Sequence, residues 1–79
     1  SANLIRSYQL RQDQAGRTLT FTSNNQAQIQ VSLDKKEKTA QVVKTEMTEG
    51  MSYNEVKEEV SRILTFLGYE LKQDAAPSN

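Results

Sequence analysis

A chain of 79 residues holds one domain, and a domain this short buries only about 60% of the surface its unfolded form exposes, so its core alone leaves it marginal. It has no Cys and no His, which excludes a disulfide framework, the usual zinc ligands, and the Ser-His and Cys-His forms of nucleophilic catalysis. Ten basic residues balance ten acidic ones, and zero net charge argues against a general electrostatic affinity for nucleic acid or anionic lipid.

The first element predicted is a strand from Leu4 to Gln12, where Leu4, Tyr8 and Leu10 share one parity with Arg6 and Gln12. Gln14-Ala15-Gly16-Arg17 breaks it and supplies a glycine for a turn. Thr18 to Thr22 reads as a cleaner strand, β-branched throughout its polar positions, with Leu19 and Phe21 on one face. Ser23-Asn24-Asn25-Gln26 is a turn cluster, and Asn tolerates positive φ there.

Ala27 to Leu33 is the clearest alternation in the chain: Ala27, Ile29, Val31 and Leu33 face one way and Gln28, Gln30 and Ser32 the other. Asp34 to Lys38 forms a polar hairpin tip, and a fourth strand runs from about Thr39 to Met47. Its parity is split, with Ala40 and Val42 on one face and Val43 and Met47 on the other. Either a β-bulge near Val42-Val43 or burial on both faces reconciles the two.

The helix carries the strongest local signal. Ser52-Tyr53-Asn54-Glu55 matches the capping box, and Met51 with Val56 supplies the hydrophobic staple. Tyr53, Val56, Val60, Ile63, Leu64 and Leu67 follow helical spacing, while Lys57, Glu58, Glu59 and Arg62 fall largely on the other side. Gly68 sits where a C′ residue belongs, so the helix is expected from Tyr53 to Leu67, with Tyr69 turned back onto Leu64 in a Schellman ending. Tyr69 and Leu71 alternate with Glu70 and Lys72, which allows a short final strand.

The expected architecture is therefore α+β: an antiparallel four-stranded β-meander packed on one face by a single C-terminal amphipathic helix, with a short fifth strand possible after it. Residues 1–72 make the single domain, and residues 73–79 are expected to be a disordered tail. No apolar run approaches the ~20 residues that span a bilayer, so no membrane contact is expected. The compartment stays open, with a soluble cytoplasmic placement slightly favoured.

The chemistry on offer is narrow. Lysine-based catalysis needs a buried, neutralised Lys; of the lysines, only Lys44 sits on a strand rather than in a tip, a tail or an exposed helix face. Glu55 and Glu59 are four apart on one helix face, a spacing suited to a metal pair, but the capping box already employs Glu55. The glycines (16, 50 and 68) are too widely spaced for a phosphate loop. The expectation is a protein that is not an enzyme and has neither cofactor nor metal.

Three surfaces remain. The far face of the sheet carries Thr18, Thr20, Thr22, Gln28, Gln30 and Ser32, all polar and none charged. A solvated antiparallel face reads this way as a rule, yet such faces commonly carry Lys and Glu, and an uncharged one is cheaper to desolvate against a partner. Arg6, Tyr8, Arg11 and Arg17 concentrate cations near one aromatic ring, as single-strand nucleic-acid binders do. Met47, Met51 and Tyr53 flank the strand-to-helix junction, where core packing is the plainer role. The functional expectation is a small protein-interaction or assembly module, self-associating or bound to a larger protein. The alternative is a sheet-surface single-stranded nucleic-acid binder.

Overall fold

The structure, a computed structural model, describes residues 3–73. It is an antiparallel meander of β1 (Ile5–Asp13), β2 (Gly16–Ser23), β3 (Gln28–Asp34) and β4 (Thr39–Glu46), followed by α1 (Tyr53–Phe66) and a two-residue β5 (Glu70–Leu71). The five strands form one sheet in the order β1-β2-β3-β4-β5. The last pair is parallel, Thr39 opposite Glu70 and Ala40 opposite Leu71, so β4, α1 and β5 make a βαβ unit grafted onto a meander. The tail expected from residue 73 lies, from residue 74 onward, outside the described residues.

Each tight connection is built from side-chain acceptors on backbone donors. Asp13 Oδ1 accepts from Ala15 N (2.9 Å) and Gly16 N (3.1 Å), and Asp34 Oδ1 accepts from Lys36 N (3.1 Å) and Glu37 N (3.0 Å). At the second turn the buried Ser23 hydroxyl accepts from Ala27 N (3.0 Å) and Asn25 N (3.3 Å). Positive φ falls there on Gln26 (+69°) rather than on either asparagine, because the Ser23-centred bonds fix where the chain must reverse.

The split parity of β4 is a β-bulge. Gln30 opposes Lys44 and Val31 opposes Val42, which leaves Val43 as the extra residue, 55% exposed. A second bulge lies in β1: Ile5 opposes Ser23 and Ser7 opposes Thr22, so Arg6 is unmatched, and both Leu4 and Ile5 pack half-buried against the core.

The helix ends as its sequence demands. Ser52 Oγ accepts from Glu55 N (3.3 Å), and the Schellman pair closes the other end, Tyr69 N donating to Leu64 O (2.8 Å) and Gly68 N to Thr65 O (3.0 Å) with Gly68 at φ +98°. Its buried stripe of Val56, Val60 and Leu64 lies on Leu19, Phe21, Ile29, Val31 and Ala40 of the sheet. Glu59 belongs to that stripe as well, against the expectation that it faces water. No helix among the described residues is long and apolar enough to cross a membrane.

This packing makes two stability predictions. Ile29→Ala removes a fully buried side chain and is expected to cost about 2–5 kcal/mol in urea unfolding. Val43→Thr, at the bulge, should change stability by no more than about 0.5 kcal/mol. Equal losses at the two positions would contradict the bulge.

Candidate functional site

One helix cannot cover five strands end to end. Fourteen residues of α-helix span roughly 21 Å, and the hydrogen bonds that tie α1 to the β1 side of the sheet fall at Leu4 and Ile5. There the contact is polar and specific. Glu59, 8% exposed, takes Leu4 N on Oε1 (2.8 Å) and Ile5 N on Oε2 (3.0 Å), so a helix carboxylate stands where a neighbouring strand would otherwise accept. Leu4 O in turn accepts from Asn24 N (2.9 Å), and Asn24 Nδ2 donates to Asn3 O (2.9 Å), tying the chain's entry into the sheet to the β2–β3 turn.

Beyond Ile5 nothing among the described residues covers β1. Tyr8 opposes Phe21 and Leu10 opposes Leu19, so both sit on the core face, yet Tyr8 is 48% and Leu10 57% exposed. Tyr8 leans on Phe21, ring centroids 5.5 Å apart and tilted by 41°. Across from them, at the last turn of α1, Phe66 is 88% exposed. Tyr8 and Phe66, with Asn3, Glu59, Arg62 and Ile63, line an open groove of about 410 Å³. The sequence placed Tyr8 and Leu10 on one face correctly, but their alternation did not show that the face stops short of a lid. Phe66 lay outside the expected apolar stripe, and that position was the available signal.

The backbone of β1 is open as well, since among the described residues the strand has a neighbour on one side alone. Asp13 and Gly16 are partners across a two-residue hairpin, and Ser23 N donates to Ala27 O on the far side of β2, so by alternation the even residues of β2 bond toward β1 and their partners Arg11, Gln9 and Ser7 bond toward β2. The N–H and C=O groups of Tyr8, Leu10 and Gln12 therefore point away from the sheet. The opposite edge differs. β5 pairs with Thr39 and Ala40, and the remaining edge of β4 carries the Val43 bulge and the charged Lys44 and Glu46, features that blunt edge pairing.

The six uncharged residues of the far face do come together. Thr18 opposes Ser32, Thr20 opposes Gln30 and Thr22 opposes Gln28, three cross-strand pairs on one surface. Every one is half-buried against its neighbours, and Gln28 Nε2 reaches Thr22 Oγ1 at 3.5 Å. Lys44 lies on the same side with Glu46, beside a shallow depression of about 90 Å³ shared with Thr20, Gln28 and Gln30.

The four residues of the nucleic-acid alternative are not brought together. Arg11, opposite Thr18, is on the far face; Tyr8 is on the core face, as is Arg17, whose Nε donates to Gln12 Oε1 (3.2 Å); Arg6 is the bulge residue. Among the described residues no group of three or more His, Cys, Asp or Glu side chains gathers as metal ligands, and both oxygens of Glu59 are taken by backbone amides.

The Glu59 clamp makes a mutational prediction. Glu59→Ala strands two part-buried donors and is expected to cost about 1–3 kcal/mol in urea unfolding, with Glu59→Gln recovering part of the loss through its remaining oxygen. Hydrogen exchange should rise in β1 before it rises in β3. A loss spread evenly over the sheet would show that the carboxylate does not act on β1.

Comparison with protein-family models, with curated proteins and with solved structures finds no match to this chain.

Proposed function

We propose that this protein is a non-catalytic protein-interaction module that works by β-strand addition at the edge of β1. The observation that carries the reading is the coincidence, at one nine-residue edge strand, of open backbone bonding groups and an uncovered apolar flank, Tyr8 and Leu10 of the strand with Phe66 of α1 beside them. Nine residues is long for any strand and more so for an edge; β1 has neither Lys nor Pro, and its own bulge, at Arg6, lies at its N-terminal end and leaves Ser7 to Asp13 in regular register. An added strand would satisfy the outward amides and carbonyls of Tyr8, Leu10 and Gln12 while its alternate side chains fall against the apolar flank. Main-chain bonding supplies affinity in this mode, and the groove beside Phe66 supplies selectivity.

The far face offers less than its composition suggests. Its Thr and Gln side chains already pack on one another, so a partner there gains little apolar burial. That face is kept as the comparison arm of the test. A photo-reactive benzoylphenylalanine in place of Gln12, at the edge, is expected to yield cross-linked protein adducts in cells that produce the chain. The same probe in place of Gln30, on the far face, is expected to yield none. Adducts from Gln30 alone would move the interaction to the far face, and no adduct from Gln12 would overturn strand addition.

Fluorescence anisotropy with single-stranded oligonucleotides at low salt separates the nucleic-acid alternative. The interaction reading expects no binding, and a salt-sensitive affinity lost on Arg11→Ala would replace it.

A further inference from the structure

We infer that the strand added at the β1 edge is β1 of a second copy, paired antiparallel about a two-fold axis through Gln9. This rests on the strand-addition reading above and names its partner. The argument is self-complementarity. The outward-pointing residues of β1 are Tyr8, Leu10 and Gln12, so only registers that oppose even-numbered residues to one another form backbone bonds. Centred on Gln9, Tyr8 of each copy opposes Leu10 of the other, and these two pairs exchange backbone bonds on both sides of the axis. Both pairs lie on the core face, where the half-exposed Tyr8 and Leu10 lack cover. Moving the axis to Leu10 sets Tyr8 against Gln12, and moving it to Tyr8 sets Leu10 against Arg6. Either shift leaves one apolar pair instead of two.

Charge fits the same register. β1 carries Arg6 at one end, Arg11 near the other, and Asp13 last. With the axis at Gln9, Arg11 opposes Ser7 of the second copy, and Arg6 falls opposite Gln12, between Arg11 and Asp13, so no like charges stand directly opposite each other. The chain has no net charge to oppose association, and without Cys or His it has neither a disulfide nor a zinc staple, which leaves assembly as the device small domains use in their place. The two meanders would join into one continuous sheet, with the helices on the same face and the Phe66 rings beside the new Tyr8–Leu10 pairs.

The absence of native Cys makes the test clean. On the axis, the two Gln9 residues form a non-hydrogen-bonded pair with Cα atoms about 4.5 Å apart, within disulfide reach. Two Ser7 residues are separated by about 13 Å along the strands, beyond it. Light scattering of the purified protein at micromolar concentration is expected to give twice the chain mass. Under mild oxidation Gln9→Cys should cross-link to a dimer, Ser7→Cys alone should not, and Ser7→Cys mixed with Arg11→Cys should. Leu10→Glu, at a half-exposed position that circular dichroism can confirm as folded, should weaken association at least about tenfold.

Monomer mass at all concentrations, or self-cross-linking of Ser7→Cys as readily as Gln9→Cys, overturns the inference. A monomer whose Gln12 photo-probe captures a different protein in cells removes the second copy and leaves strand addition standing. A monomer with no capture at all removes both.

Discussion

Among the described residues a single helix is the only layer opposite this sheet, and that constraint governs the rest of the structure. Val56, Val60 and Leu64 cover the middle of the sheet, where Phe21, Ile29 and Val31 lose all contact with water. The flanks must be handled otherwise. On one side, β4 bulges at Val43 and turns charged residues outward, and two residues of β5 close part of its edge. On the other, a helix carboxylate holds Leu4 and Ile5, and Tyr8 and Leu10 are left half-exposed. The same short lid that leaves the domain a small core therefore leaves it an uncovered strand.

The two ends of α1 were legible in the sequence because capping is local chemistry: Ser52 and Gly68 act on backbone groups within a few residues of themselves. β2 and β3 were legible for a related reason, since clean alternation over a half-buried sheet leaves little choice of register. The two valines of β4 pointed to a bulge without fixing which residue was extra, and the pairing partner that decides it, Gln30 or Val31, lies in another strand. The N-terminal bulge at Arg6 left no mark, because Leu4 and Ile5 are both apolar and either satisfies the pattern.

Glu59 was misread for an instructive reason. Residue 59 lies three past Val56 and four before Ile63, squarely within the apolar arc, and its position argued for burial while its charge argued against. A buried carboxylate needs donors, and the ones it finds, the amides of Leu4 and Ile5, sit more than fifty residues away in sequence. Of the candidate surfaces, the far face was legible because alternation defines it. The β1 flank was not, since alternation reports which way a side chain points and never whether another element lies above it. Tyr8 and Leu10 share the parity of Phe21 and Leu19 and differ from them only in cover.

The Glu59 clamp also bears on the order in which this chain assembles. The meander closes by hairpins between sequence neighbours, each needing only a short loop to be ordered, whereas the carboxylate joins the first strand to a helix that follows the whole meander in the chain. Until α1 docks, the amides of Leu4 and Ile5 have only water as acceptor, and β1 is held by β2 alone. The strand that carries the exposed flank is thus locked late in folding and released early in local opening, which places the most adhesive part of the molecule under the control of its most distant contact.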